Sequence, residues 1–358
     1  MKILIDMGHP GHVHLFKNFI WEMKKRGHEI KVTARDKEIT LHLLSTYNFP
    51  FTKIGTQKAG MFNLIQEWIA RDIGIFRISR NFHPDILLGV GNPSIAHVAK
   101  VIRKPSIIFT DTEHATFGNS ITFPFASSIC TPSCYRDNIG LKQIRYNGYH
   151  ELAYLHPNHF IPDSTVLDEL GLTKDDHFII VRFVSWGASH DVGQHGIIDK
   201  IGLVKALEQY GRIIITSEET LPEELKKYQI SVSPEKLHDL LYYATMYIGE
   251  GSTTASECAV LGTHAIYVNT LRLGYTDEEE EKYNLLYTFS NPDKMGTEVF
   301  EKAKELLEDP NLRVKGKKKR EQLLKEKIDV TAFMVWFIEN YPESIKQLKE
   351  NPDFQKKF

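Results

Sequence analysis

Short apolar runs alternate with stretches of helical spacing along most of the chain. Lys2–Met7 reads as a strand that ends in a Gly/His/Pro loop, and Leu15–Arg26 then places its apolar residues at helical intervals. Gly27 and His28 stop that helix, and Glu29–Ala34 resumes as a strand. Asp85–Val90, Ser94–Arg103 and Ser106–Thr110 repeat the order strand, helix, strand. A second series runs through strand Phe178–Phe183, helix Ile197–Tyr210, strand Arg212–Thr216, helix Pro234–Ala244, strand Met246–Gly249, helix Thr253–Leu261 and strand His264–Val268. Such alternation predicts an α/β fold of parallel sheets packed between helices.

Between the two series, Tyr146–Asp163 is rich in Gly, Tyr, His, Pro and Asn and has little periodicity, which marks a connection between domains. The expected domains are residues 1–160 and 161–325. Residues 57–82 interleave Ile, Met, Trp and Phe with Arg71, Arg77 and Arg80. They read either as a basic amphipathic helix on a membrane surface or, preferably, as a helix packing its apolar face on the sheet. The Lys-rich run Lys315–Arg320 reads as solvated surface, and Thr331–Tyr341 as a closing aromatic helix.

A length of 358 residues fits two domains, and 42% hydrophobic with 25% charged residues is ordinary for a globular protein. No run is long and apolar enough to span a bilayer, and Met1–Asp6 has no signal-peptide layout, so a cytoplasmic protein is expected. Three cysteines form no disulfide framework, and nothing beside Cys130 and Cys134 completes a zinc site. Charge is uneven. Residues 1–160 hold 19 Lys+Arg against 12 Asp+Glu, leaving 25 against 34 in the remainder, and 11 of the 16 histidines lie in the first part. That bias suits an anionic partner, a phosphorylated acceptor or a membrane surface, although it also serves solubility alone. The excess is too modest, and aromatic-basic strands too absent, for nucleic-acid binding.

Ligands of open α/β sheets bind beyond the carboxyl ends of strands. The first loop there is Gly8-His9-Pro10-Gly11-His12-Val13-His14, where backbone N–H groups, a helix start and three histidines could receive an anion and titrate near neutrality. Capping and packing by the same histidines is the plainer reading. The loop lacks the nicotinamide-type Gly-x-Gly-x-x-Gly pattern. The second, Gly89-Val90-Gly91-Asn92-Pro93-Ser94, places Ser94 to cap the next helix. The third, Thr110-Asp111-Thr112-Glu113-His114, offers Asp111 and Glu113 as a general base or as ligands of sugar hydroxyls. The fourth, Gly249-Glu250-Gly251-Ser252-Thr253-Thr254-Ala255-Ser256-Glu257, runs from a strand through a small-residue turn into a helix. Ser252, Thr253 and Thr254 there suit a diphosphate, and Glu257, one turn on, suits the two hydroxyls of a ribose. Thr254-x-x-Glu257 also fits a capping box that needs no ligand. Arg182 at a strand end and His190 in the loop Ser185–Asp191 are further candidates for phosphate contacts, with an Arg182–carboxylate pair as the alternative.

Gly11-His12-Val13 and the Gly251-Ser-Thr-Thr…Glu257 helix entry resemble the peptidoglycan N-acetylglucosaminyltransferase and the UDP-N-acetylglucosamine 2-epimerases. The chain more closely resembles a prokaryotic family of uncharacterised, predicted glycosyltransferases of the glycosyltransferase-B superfamily, through Gly148-Tyr-His-Glu-Leu-Ala-Tyr-Leu-His-Pro-Asn-His-Phe160 and Glu257-Cys-Ala-Val-Leu-Gly-Thr263. The resemblance implies two Rossmann-like domains with an interdomain cleft, and a last helical segment, 326–358, packing back on the first domain. It implies an acceptor-side first domain and a nucleotide-sugar second domain, with Ser252 and Thr253 at the diphosphate, Glu257 at the ribose and His12 near the reacting groups. Stretches shared by the epimerases are incomplete here. Gly89–Ser94 lacks the Asp of an Asp-Thr-Asn stretch, Phe109–His114 only partly matches His-Val-Glu-Ala-Gly-Leu-Arg, and Pro-Glu-Glu-x-Asn-Arg is missing.

The expected reaction is therefore transfer of a sugar from a UDP-linked donor to a hydroxyl of a glycan or lipid-linked acceptor, with His12 or Asp111 as base. Arg182 or His190 would aid the Ser252–Thr254 turn at the growing phosphate charge, and domain closure would exclude water. No cofactor beyond the donor and no metal is expected, because no Asp-x-Asp motif is present. The alternatives are a sugar-nucleotide epimerase or hydrolase, and a non-catalytic sugar-nucleotide binder.

Overall fold

The alternation of β-rich runs and helical spacings becomes two wholly parallel sheets in the computed structural model, which describes residues 1–56, 61–184, 196–230 and 232–358. The first sheet holds β1 (Lys2–Met7), β2 (Glu29–Asp36), β3 (Phe51–Thr56), β4 (Ile86–Val90), β5 (Ser106–Phe109), β6 (Ser128–Pro132) and β7 (Gln143–Tyr146). Their order is β3-β2-β1-β4-β5-β6-β7. The second holds β8 (Phe178–Phe183), β9 (Arg212–Ser217), β10 (Met246–Gly249), β11 (His264–Val268) and β12 (Leu286–Phe289), in the order β12-β11-β10-β8-β9. Strand order thus reverses between β1 and β4 in one sheet and between β8 and β10 in the other, where such folds seat their ligands.

The chain divides into one unit of Met1–His159 with Lys327–Phe358 and another of Phe160–Glu326. Each has its own core, because a parallel sheet covered on both faces needs strands that are apolar throughout. Leu4, Ile75, Leu87, Ile95 and Ile108 pack in the first, and Ile179, Val181, Val204, Ile248 and Ile266 in the second.

Two expectations change. Helix Met61–Phe82 does pack inward, but through Glu67, Arg71, Ile75 and Ser79, four residues apart, and not through a purely apolar face. Arg35 and Asp6 receive Glu67 and Arg71, which leaves Ile69 and Ile73 outward, 56% and 46% exposed. Residues 57–60 of that stretch lie outside the described residues. The Lys-rich run belongs to helix Leu312–Glu326 and is only partly solvated. Lys319 Nζ donates to the Asn284 carbonyl at 2.8 Å, and Arg320 Nε to the Val260 carbonyl at 2.9 Å, near the end of helix Ser252–Leu261. Gly316 permits that approach, since a Cβ there would stand 2.1 Å from the Gly262 carbonyl oxygen, and Gly262 itself has φ of 82°.

Candidate functional site

In the first unit the loops rest on a buried carboxylate. Asp6, in β1 and fully buried, accepts from Thr33 Oγ1 and Asn92 Nδ2, each at 2.6 Å, and from Arg71 Nη2 at 2.5 Å. These bonds tie β1 to β2, to the turn after β4 and to helix Met61–Phe82. Asn92 Oδ1 also accepts the Ile95 N–H at 3.1 Å and caps helix Pro93–Ile102. Ser94, expected in that role, lies buried inside the first turn. Proline at the first helical position keeps the preceding residue extended, so the cap falls to Asn92.

Helix Pro10–Lys25 starts directly in the histidine loop. His9 caps it, its Nδ1 accepting the Gly11 N–H at 3.1 Å, and His12 Nδ1 accepts the Gly8 N–H at 3.2 Å. The loop's own imidazoles therefore occupy two N–H groups that could have met an anion. His14 is buried between the rings of Tyr47 and Tyr154. Because its Nδ1 accepts, a neutral His12 carries its proton on Nε2. Burial, then His9, Lys37 and His150, push its pKa well below the ordinary value, so the ring stays neutral and offers a donor. To act as a base through Nδ1, His12 would have to release Gly8.

Asp111 follows β5 and pairs with His150, Oδ2 to Nδ1, at 3.0 Å, while Thr112 Oγ1 donates to Oδ1 at 2.9 Å. Burial works to raise the Asp111 pKa, but His150 and Thr112 outweigh it and hold it at about 2. Its carboxylate is ionised, so His150 Nδ1 carries the proton. The His150 ring stacks on Tyr146, centroids 6.3 Å apart, and its Nε2 is buried with no hydrogen-bond partner. Asp111 and His150 both bear electrostatically on His12. The fold thus gathers His9, His12, Asp111 and His150. Glu113 is engaged otherwise, its Oε1 accepting the Arg136 N–H at 3.2 Å. His150 was not a candidate from the sequence, although it stands in the Gly148-Tyr-His-Glu phrase that carries the family resemblance.

In the second unit, β10 ends at Gly249, where a Cβ would stand 2.2 Å from Tyr247 Oη and 3.0 Å from the Arg182 carbonyl oxygen. Helix Ser252–Leu261 follows, capped by Gly251 with no side-chain bond. Thr254 therefore falls inside the first turn, and the capping box with Glu257 does not form. Its leading N–H groups have no intrahelical acceptor. Thr253 is exposed, Ser252 half-buried and Thr254 buried. Glu257, also buried, receives His238 Nε2 on Oε1 at 2.9 Å. Glu250, 1% exposed, accepts the N–H groups of Val184 and Ile197, both at 2.9 Å, which flank the segment 185–195 in the sequence. Burial raises its pKa against those two bonds. His190 falls in that segment, outside the described residues. Arg182 lies beside Gly249 in the sheet, but its Nη2 donates to Glu218 Oε1 at 2.7 Å, so the carboxylate-pairing alternative is realised. Among the described residues, no group of His, Cys, Asp and Glu is arranged to hold a metal ion, and no helix is long and apolar enough to cross a membrane.

Two doubly wound parallel sheets, each with polar loops where its strand order reverses, define a protein of the glycosyltransferase-B architecture. The same fold is found in the Staphylococcus aureus MnaA–UDP co-structure, 12% identical with TM-score 0.66, over 96% of this chain and 98% of that one. A Neisseria meningitidis UDP-GlcNAc 2-epimerase bound to UDP-GlcNAc is 13% identical, with TM-score 0.63, over 97% and 100%. The spinosyn rhamnosyltransferase SpnG, complexed with spinosyn aglycone, is 12% identical, with TM-score 0.60, over 95% and 100%. The chain belongs to the family DUF354, proteins of unknown function, which it matches over residues 1–334. No curated protein matches its sequence.

Proposed function

We propose that this protein is a glycosyltransferase that moves a sugar from a UDP-linked donor to a hydroxyl of a glycan or lipid-linked acceptor. The observation that carries the reading is the start of helix Ser252–Leu261, set where strand order reverses, with Glu257 held by His238 behind it. Its first-turn N–H groups, with Ser252 and Thr253, receive the diphosphate, whose charge the helix start stabilises. Glu257 receives the ribose. The first unit supplies the acid–base groups, with His12 donating from Nε2. That solved proteins of this fold hold UDP or UDP-GlcNAc supports the nucleotide part of the reading.

The test is titration calorimetry of the purified protein with UDP and UDP-sugars. Binding that is lost in Glu257→Gln supports the assignment, whereas undiminished binding by that variant removes it. Conversion of UDP-GlcNAc at C2 without any acceptor, followed by proton NMR, would replace transfer by epimerisation. Ile69, Ile73 and Phe117, which stands 63% exposed, support peripheral contact with a lipid surface, and co-sedimentation with vesicles tests that contact.

A further inference from the structure

Some histidines that the fold uses as struts employ both ring nitrogens. His28 meets the Met1 amino group at 3.0 Å and Glu339 at 2.9 Å, and His97 meets Asp72 at 3.1 Å and the Ile121 carbonyl at 2.9 Å. His150 does not follow that habit. It is 9% exposed, its Nδ1 is fixed by Asp111, and its Nε2 is buried without a partner. A buried polar atom left unpaired in a fold calls for an explanation. The ionised Asp111 fixes a proton on Nδ1, so in the neutral ring the lone pair lies on Nε2. Nε2 itself is enclosed, while 11% of the His150 side chain and 18% of the Asp111 side chain reach the surface through their other atoms. A base oriented by a carboxylate, with its other nitrogen reserved, is the arrangement that activates a hydroxyl.

We infer that His150 is the general base of the transfer proposed above, with Asp111 as its positioning residue and an acceptor hydroxyl as the missing partner of Nε2. The inference rests on that reading of the function. In the step, the acceptor O–H proton passes to His150 Nε2, and the oxygen electron pair forms the new bond to the sugar C1. The bond from C1 to the diphosphate oxygen breaks, and its electron pair leaves with UDP. Asp111 keeps its charge, offsets that of the imidazolium and takes no proton. His12 differs in tautomer, because its Nδ1 is occupied by Gly8, and it serves as a donor.

Two measurements on the full chain test this. Nitrogen-15 NMR of histidine-labelled protein should show His150 protonated on Nδ1 and bare on Nε2, with that preference lost in Asp111→Asn and kept in Asp111→Glu. His150 protonated on Nε2, or indifferent to Asp111→Asn, overturns the inference with no substrate present. The second measurement follows UDP release from UDP-glucose, UDP-galactose and UDP-N-acetylglucosamine, with water or glycerol as the hydroxyl. Loss of the base should lower the rate about a hundredfold in His150→Gln and in Asp111→Asn, with UDP binding unchanged by calorimetry. Rates within about threefold of wild type, or no turnover of any of the three donors by wild type, overturn it. A protein that binds no UDP fails the nucleotide reading instead, while the NMR result still reports on His150.

Discussion

The candidate site of each unit sets a histidine against a carboxylate at nearly the same distance, 3.0 Å for Asp111–His150 and 2.9 Å for Glu257–His238. Their surroundings differ. The first pair keeps 11% and 18% of its side chains exposed and leaves a ring nitrogen unspent, whereas the second is closed in at 3% and 6%. A histidine set against a carboxylate thus yields an imidazole with a spare nitrogen in one unit and a fixed carboxylate in the other. Access and the fate of the second nitrogen decide which.

The comparison breaks most visibly if the two carboxylates are exchanged in role. Glu257→Gln should weaken UDP binding by roughly ten- to a hundredfold, the worth of about 1.5–3 kcal/mol for hydrogen bonds to a charged group. Asp111→Asn should leave UDP binding within about twofold. Calorimetry on both variants decides, and equal losses would erase the distinction.

Acid sharpens it next. The folded-state pKa of Asp111 is depressed to about 2, as is that of Asp329, where burial opposes and His159, Asn158 and the Ala332 N–H prevail. The unfolded chain therefore binds these protons first. The stability each contributes is complete above about pH 4 and is lost as pH falls toward 2, roughly 2 kcal/mol apiece. Urea unfolding from pH 5 to pH 2 should show this loss, diminished in Asp111→Asn.

A similar effect is expected from the packing behind Glu257. Gly316→Ala would press on the Gly262 carbonyl and should destabilise the protein by about 1–3 kcal/mol, read as a lower urea midpoint. The smallest change is expected for Arg182→Gln. Its partly exposed pair with Glu218 is worth about 0–1 kcal/mol, and UDP affinity should hardly move if Glu218 is its true partner.

Strands buried on both faces were the most legible elements. Lys2–Met7, Phe178–Phe183, Met246–Gly249 and His264–Val268 have the same limits in the text and in the fold. β3, β6, β7 and β12 escaped, being four to six residues long, mostly with polar or proline positions that break the apolar run. The site was half legible. Asp111 announced itself by its loop, but its partner lies 39 residues along, after two further strands, and no local spacing links them. His238 was hidden because it is buried in helix Leu237–Tyr243 along with Leu240, Leu241 and Tyr243, and reads as one more core position. The caps fall elsewhere than Ser94 and Thr254 for one reason: the two helices begin two and three residues earlier than those hydroxyl residues suggest.

The second unit is one unbroken stretch, Phe160–Glu326, and the chain leaves and re-enters the first unit at a single fastening. His159 Nε2 lies 2.8 Å and Asn158 Nδ2 2.9 Å from Asp329 Oδ2, so one carboxylate stitches both seams. In effect the polypeptide is a host carrying a guest, and the graft can be undone. Bridging His159 to Lys327 with a few glycines should leave the host's seven strands assembled, which circular dichroism of the shortened protein would reveal.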